Sequence, residues 1–119
     1  MLRWPLAAAI LLLFAFLPSA RAQTLTTLYS FTGSPHDGAF PVADLLLDAQ
    51  GNLYGTTGAG GAGGAGTVFK LTPSGAETLL HSFSFPLTIV PSRRREGFYP
   101  WAGLVSDAAG NLYGTTYYG

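Results

Sequence analysis

The sequence predicts an all-β fold built from four-stranded antiparallel meander repeats, preceded by an apolar helix at the N-terminus. Beyond that helix, apolar and aromatic residues form short clusters separated by Gly, Pro, Asn and Asp, with no long segment of period 3.6. A second observation is repetition, since residues 37–60 match residues 96–119. Short strands that recur at a fixed interval are typical of stacked β-units.

The N-terminus has the pattern of a secretory signal peptide, residues 1–22. A basic residue precedes an uninterrupted apolar run over residues 6–17, and the small residues Ala20 and Ala22 occupy the positions that a signal peptidase reads before Gln23. The alternative is an uncleaved anchor, but such a run extends only about 18 Å as a helix, against a bilayer core of about 30 Å. We therefore predict cleavage and export to the periplasm, the cell surface or the medium, with no stable membrane span afterwards.

The composition of the mature part, residues 23–119, limits its partners. Removal of Arg3 and Arg21 with the signal peptide leaves four Lys or Arg against six Asp or Glu, a net charge of −2. A surface that binds nucleic acid needs a basic excess, so nucleic acid is not an expected partner. The chain has no cysteine, although an exported compartment permits disulfides. Stability must come from apolar burial and from strand pairing.

Two internal matches define the repeat. Residues 41–57 (PVADLLLDAQGNLYGTT) match residues 100–116 (PWAGLVSDAAGNLYGTT) at an offset of 59 positions. Residues 26–31 (TTLYSF) match residues 78–83 (TLLHSF) at an offset of 52. The difference between the offsets predicts a seven-residue insertion in the second copy, within residues 84–98.

The complete unit is predicted to hold four short strands. They lie near residues 42–47, 52–57, 67–72 and 77–83. In the third strand, alternation places Phe69 and Leu71 on one face and Val68 and Lys70 on the other.

An Asp and Gly turn joins the first two strands of each unit. Gly51 suits a positive φ, and the Asp48 carboxylate is placed to accept backbone N–H groups inside the turn. The predicted structural turn positions in the two units are Asp48, Gly51, Asn52, Asp107, Gly110 and Asn111.

A sheet of this size cannot bury both faces alone, so we expect the units to stack radially as β-propeller-like blades. The predicted parts are a fourth-strand remnant at 24–31, a complete unit at 40–83, an insertion loop at 84–98 and a half unit at 99–119. About one and a half blades are fewer than the three or more repeats that an array usually needs. The expectation is a truncated fragment of a longer surface protein, with an assembling piece as the alternative.

These motifs resemble the Gloeobacter/Verrucomicrobia (GloVer) tandem repeat proteins of the choice-of-anchor type, a family of exported bacterial proteins. The matching pieces are residues 43–57, 66–75 (GTVFKLTPSG), 78–83 and 100–116. The resemblance implies an exported, propeller-like array, often held at the cell surface by a C-terminal sorting signal. It brings no known catalytic residues and no established ligand.

A glycine-rich segment, residues 58–66, contains the spacing G-x-G-x-x-G twice. A dinucleotide site needs such a loop to open a helix, whereas the following TVFKLT predicts a strand. We expect a flexible inter-strand connection and no cofactor. Calcium needs six or more oxygens, and since Asp48 and Asp107 offer only one carboxylate each, turn capping is the favoured role.

No residue pattern predicts catalysis. Acid–base chemistry needs two carboxylates that converge in one pocket, but Asp48 and Asp107 recur at one repeat position, which favours a structural duty. His36 and His81 have no Cys or paired His at ligand spacing, and there is no G-x-S-x-G motif. We therefore expect neither a metal site nor an enzyme.

Four residues are candidates for facing a ligand: Asp44, Trp101, Tyr117 and Tyr118. Aromatic faces stack on sugars, although packing between blades explains these aromatics as well. The leading hypothesis is a non-catalytic extracytoplasmic structural or interaction module, whose partners are further repeats of the same protein or cell-surface glycans. The alternatives are a carbohydrate-binding or carbohydrate-cleaving propeller and a sensor lobe of a larger surface protein.

Overall fold

The computed structural model describes residues 22–86 and 96–119. The predicted signal-peptide helix, up to position 21, and the central part of the predicted insertion, residues 87–95, lie outside the described residues. Within the described part, no helix is long and apolar enough to cross a membrane.

The described residues form strands and turns only, which confirms the all-β prediction. The strands are β1 (Gly38–Ala39), β2 (Leu46–Leu47), β3 (Leu53–Thr57), β4 (Ala59–Gly60), β5 (Gly64–Leu71), β6 (Glu77–Ser84), β7 (Val105–Ser106) and β8 (Leu112–Tyr113).

Strands β2, β3, β5 and β6 follow one another across a sheet, and each pair is antiparallel. The longest uninterrupted ladder joins β3 to β5, where Gly55 is opposite Phe69 and Thr57 is opposite Thr67. The β5–β6 ladder contains a bulge, because Val68 pairs with His81 while Phe69 pairs with Leu79. The complete unit is therefore a four-stranded antiparallel meander.

The first strand of this meander is shorter than the sequence pattern suggests. Its ladder covers only Leu46–Leu47, whereas the apolar pattern predicts residues 42–47. Phe40 has a φ of 58°, which is not an extended conformation, and Pro41 has no N–H to donate. The chain just before the predicted strand is therefore not part of the ladder.

The glycine-rich segment contains regular structure that its composition does not predict. Strand β4 pairs antiparallel with β1 and parallel with β5, through Gly60 and Ala65. A Cβ on Gly60 would stand 2.5 Å from the Asp37 carbonyl oxygen and 2.7 Å from the Ala39 nitrogen. Glycine is required here because two backbone segments approach closely, so the expectation of a flexible connection is wrong for this segment.

The small core lies on one face of the meander, which we call the Phe69 face. Ala65, Phe69 and Leu71 are buried there, while the neighbouring Val68 and Lys70 are only half-buried on the opposite face, the Val68 face. This alternation agrees with the predicted two-sided pattern of the third strand.

Each face of the meander is approached by a different part of the chain. The ring of Phe31 lies edge-on to Phe69, with ring centroids 4.9 Å apart. On the Val68 face, Thr56, Val68 and Leu80 line one side of a hollow, and residues of the half unit line the other side. Those residues include Pro100, Leu104, Leu112 and Gly114.

The two copies of the repeated corner have the same backbone arrangement. Leu46 pairs with Tyr54 and Leu47 with Leu53 in the complete unit. At an offset of 59, Val105 pairs with Tyr113 and Ser106 with Leu112. Phe40 and Tyr99 also correspond, and both have a φ of 58°. The repeated sequence of the corner therefore has the same backbone structure in both copies.

Candidate functional site

The first feature that recurs is the Asp48 corner. One oxygen of Asp48 accepts the Gln50 and Asn52 N–H groups at 2.9 and 2.8 Å, and the other accepts the Asn52 side-chain amide at 2.8 Å. The second oxygen also accepts the Tyr54 hydroxyl at 3.0 Å. Gly51 closes the turn with a φ of 83°, a region that favours glycine.

The Asp107 corner repeats this network donor for donor. Ala109 and Asn111 supply N–H groups at 2.9 Å, the Asn111 amide donates at 2.7 Å, and the Tyr113 hydroxyl donates at 2.9 Å. Gly110 has a φ of 84°. The predicted turn positions therefore come together in each unit, and the tyrosine that completes each set follows two residues after the Asn.

The corner carboxylates are held ionised by their donors. The Asn52 side-chain amide is the main cause that lowers the pKa of Asp48 below its ordinary value of 3.8, and the Asn52 N–H and Tyr54 hydroxyl add to it. Hydrogen bonds from the Asn111 amide and N–H and from the Tyr113 hydroxyl lower the pKa of Asp107 to about 2. Both carboxylates thus serve the turn as acceptors.

A second recurring feature, the junction carboxylate, was not singled out as a site by the sequence pattern. Asp37 is 4% exposed and accepts hydrogen bonds from the Tyr29 hydroxyl at 3.0 Å and the Thr32 N–H at 2.7 Å. The Thr32 hydroxyl and the Gly38 N–H also donate to it. Burial opposes ionisation of Asp37, but these four hydrogen bonds outweigh burial and hold its pKa below the ordinary value.

Glu96 occupies the corresponding place between the complete unit and the half unit. It accepts the Ser84 N–H at 3.1 Å, and its other oxygen lies 3.1 Å from Nε2 of His81. The two repeat offsets relate Tyr29 to His81, Thr32 to Ser84 and Asp37 to Glu96. The Tyr29–Phe31 and His81–Phe83 ring pairs are both edge-on, at interplanar angles of 78° and 79°.

This correspondence describes how residues 24–31 contact the complete unit. They have no ladder partner in the described structure, yet Tyr29 and Phe31 meet the complete unit as His81 and Phe83 meet the half unit. The sequence does contain a pattern that indicates the junction carboxylate. The offset of 52 aligns the residues before it and the offset of 59 aligns the carboxylate itself, so the two offsets together align both junctions.

Backbone and side-chain contacts also join the complete unit to the half unit. The Thr56 hydroxyl donates to the Ala102 carbonyl at 3.0 Å, and the Tyr99 N–H donates to the Ala65 carbonyl at 3.0 Å. Trp101 lies so close to Gly58 that a Cβ there would come within 2.7 Å of the indole Cδ1. The first residues of the half unit are thus fixed by the glycine-rich part of the complete unit.

Exposed aromatic rings gather beside this contact. Trp101 is 50% exposed, and its ring centroid is 5.2 Å from that of Tyr117 and 5.7 Å from that of Tyr99. An apolar hollow of about 640 Å³ is lined by Phe40, Val42, Gly58, Ala59, Tyr99, Trp101 and Tyr118. We call these residues, with Tyr117, the aromatic patch.

The structure separates the four residues that the sequence offers as ligand-facing. Trp101 and Tyr118 line the hollow, and Tyr117 shares a smaller recess with Trp101. Asp44 is exposed, lies against Gly103, and lines neither of these pockets. The aromatic residues form one surface, and the carboxylate stands apart from it.

The polar groups of the corners and junctions are engaged by neighbouring groups of the fold. Of the described residues, no three His, Cys, Asp or Glu lie close enough together to hold a metal ion. His81 is paired with Glu96, whereas His36 is an exposed turn residue. Asp37, Asp48 and Asp107 each accept several N–H and O–H donors, which is the chemistry of a structural acceptor.

The repeated corners, junctions and meander define the class of this chain as an all-β tandem-repeat protein. The chain belongs to the Gloeobacter/Verrucomicrobia repeat family, whose profile matches residues 12–119. Comparisons with curated proteins and with solved structures give no match.

Proposed function

We propose that this chain is a non-catalytic structural or interaction module of the cell exterior, in which repeat units stack as propeller-like blades and act together with further units of the same kind. One observation carries this proposal. The two faces of the meander are approached by different neighbouring parts of the repeat, Phe31 on one face and Leu104 and Leu112 on the other. Such stacking is how four-stranded units hide their apolar sides.

Repetition of the polar groups supports the same function. The corner and junction carboxylates recur once per unit. Each one accepts hydrogen bonds from N–H groups of the turn or junction in which it lies. A catalytic group would instead stand apart from the repeat pattern in a pocket. The recurring groups therefore maintain the geometry of the stack.

Export is tested by following the N-terminus of the full-length chain in a bacterial host. The basic start, the apolar run and Ala20 and Ala22 favour cleavage before Gln23. Mass spectrometry of the exported fraction is expected to find a chain that starts at Gln23, and Ala22→Arg is expected to block processing. Leu25→Ala is the matched control, since it lies beyond the cleavage site. Wild-type chain that stays uncleaved in the cytosol contradicts export.

A second candidate function is carbohydrate binding, which the aromatic patch favours. Tyr117 and Tyr118 are 64% and 50% exposed beside Trp101, and clustered aromatic faces stack on sugar rings. The mature chain is to be screened on a glycan array and for glycoside hydrolysis. Binding that Trp101→Ala abolishes and Leu25→Ala preserves supports this function. Absence of binding by the wild-type chain, with its circular dichroism still of the β type, rejects it.

A further inference from the structure

The aromatic patch lies where the half unit departs from the pattern of the complete unit. At the offset of 59, Trp101 stands for Val42, Tyr117 for Gly58 and Tyr118 for Ala59. The segment between these positions keeps its turn residues and its GNLYGTT sequence in both copies. Aromatic rings have therefore replaced small or aliphatic side chains around one surface, beside a corner that has stayed the same.

The backbone at these positions does not require the rings. The Gly58 N–H donates to the Phe40 carbonyl at 2.9 Å, and the Tyr117 N–H donates to the Tyr99 carbonyl at 3.0 Å. The Ala39–Ala59 pair of the complete unit likewise has its counterpart in the bridge between Phe98 and Tyr118. Because the same bonds form with small residues, the repeat alone does not explain the aromatic side chains.

Two further rings reach the same hollow from an unusual backbone conformation. Phe40 and Tyr99 both have a φ of 58°, which bulky side chains seldom adopt, and both line the hollow. Backbone conformations of this kind are concentrated at ligand sites, where the surrounding structure maintains them. The corner thus directs an aromatic ring to this surface in each copy.

The chemistry of the patch indicates the kind of ligand that it suits. Of the described residues that line the hollow and the smaller recess, none is charged. The hydroxyls of Tyr99, Tyr117 and Tyr118 make no hydrogen bond to any described part of the protein, whereas that of Tyr113 is engaged by Asp107. Acidic ligands need Lys or Arg partners, while an uncharged sugar ring needs aromatic faces and hydroxyl groups.

We propose that the aromatic patch binds a neutral glycan, with its sugar rings against Trp101 and Tyr117 and its hydroxyls bonded to the tyrosine hydroxyls. Trp101, Tyr99 and Tyr117 lie in succession, with ring centroids 5.7 and 5.2 Å apart, so the site suits an oligosaccharide better than a single sugar. This inference rests on the carbohydrate-binding function proposed above and names its ligand class.

The test titrates the mature chain with neutral and acidic hexasaccharides and reads the fluorescence of Trp101. The other tryptophan, Trp4, lies in the predicted signal peptide, so the signal of residues 23–119 comes from the patch itself. Cellohexaose, maltohexaose and mannohexaose are the neutral probes, and hexagalacturonate is the acidic one, each at up to about 5 mM. At least one neutral probe is expected to change the emission with saturation, and hexagalacturonate to bind at least about tenfold more weakly.

Variants that restore the residue of the complete unit show whether the rings carry the binding. Tyr117→Gly and Tyr118→Ala introduce side chains that the complete unit has at the same positions, and each is expected to weaken binding at least about tenfold. Leu47→Ser is the matched control, because Ser106 is the counterpart of Leu47, which is 64% exposed and lines neither pocket of the patch. It should bind as the wild type does, and circular dichroism checks that all three variants keep the β-type spectrum.

Four outcomes overturn the inference. If hexagalacturonate binds as tightly as the neutral probes, carbohydrate binding stands but the ligand class is wrong. If Tyr117→Gly and Tyr118→Ala both bind normally, the glycan site lies elsewhere. If no probe binds to the folded wild-type chain, the carbohydrate-binding function fails together with the inference. If the chain binds no glycan but forms a dimer that Tyr117→Gly abolishes, a second copy of the chain occupies the patch.

Discussion

At the scale of single residues, the corner aspartates show how one side chain fixes a turn. Asp107 accepts two backbone N–H groups, one amide and one phenol, and these donors stabilise the charged form. Because the same four donors surround Asp48, the turn is specified by the pattern Asp-x-x-Gly-Asn-x-Tyr and not by its surroundings.

Acid should weaken the fold through these aspartates. Their pKa values are lowered in the folded chain, so their contribution is present above the ordinary value of 3.8 and is lost as the pH falls toward about 2, the folded value of Asp107. In Asp107→Asn, the free energy of unfolding should depend less on pH within that window. Urea titrations at several pH values measure this dependence.

The control for this prediction is Asp44→Asn, which changes an exposed carboxylate outside the corners. It should leave the acid dependence as in the wild type. If Asp107→Asn and Asp44→Asn give the same pH dependence as the unmodified chain, the corner hydrogen bonds do not stabilise the carboxylate as described.

At the scale of elements, one carboxylate at each junction ties the end of a fourth strand, or its counterpart, to the start of the next unit. The two junctions make this connection with carboxylates that differ in burial and in hydrogen-bond partners. Asp37 is buried and receives four hydrogen bonds, whereas Glu96 is 44% exposed in its side chain and is paired with His81. Exposure screens the second contact, so the two should differ in strength.

Removing the buried junction carboxylate should cost more than removing the exposed one. Asp37→Ala leaves the Thr32 and Gly38 N–H groups without their acceptor and is expected to lower the free energy of unfolding by about 2–3 kcal/mol. Glu96→Ala is its matched counterpart, with an expected loss under about 1 kcal/mol. Chemical denaturation of both variants compares them, and equal losses contradict the difference in burial.

At the scale of the whole molecule, stability depends on contacts between units as well as within them. The Phe69 face has its closest aromatic contact with Phe31, some forty residues away along the chain, and the Val68 face looks onto the half unit. With few fully buried apolar side chains inside the meander, such contacts between units must supply part of the core.

Truncating the ring of Phe31 should therefore destabilise the meander although Phe31 lies outside its ladders. Phe31→Ala is expected to lower the free energy of unfolding by about 1–3 kcal/mol, less than for a fully buried Phe because this ring is only half-buried. Leu25→Ala, at a side chain 98% exposed, is the control and should change little. Thermal and urea unfolding measure both; an unaffected Phe31→Ala variant would show that the segment does not support the sheet.

Much of the fold was predictable because its determinants are local. The Asp and Gly turns, the alternation in β5 and the repetition of the corner all follow from residues close together in the chain. The strand within the glycine-rich segment was not predictable, for the opposite reason. Whether Gly60 lies in a flexible loop or a strand depends on the approach of residues 37–39, which local composition does not encode.

By itself the sequence determined the strand-forming composition, the repeated unit and the turn residues, since each depends on backbone preferences and on periodicity. Only the tertiary structure decided that Trp101 lies over Gly58 and that Asp44 stands apart from the aromatic patch. These relations join residues distant in the chain. They follow from the way whole sheets pack face to face, which no single segment specifies.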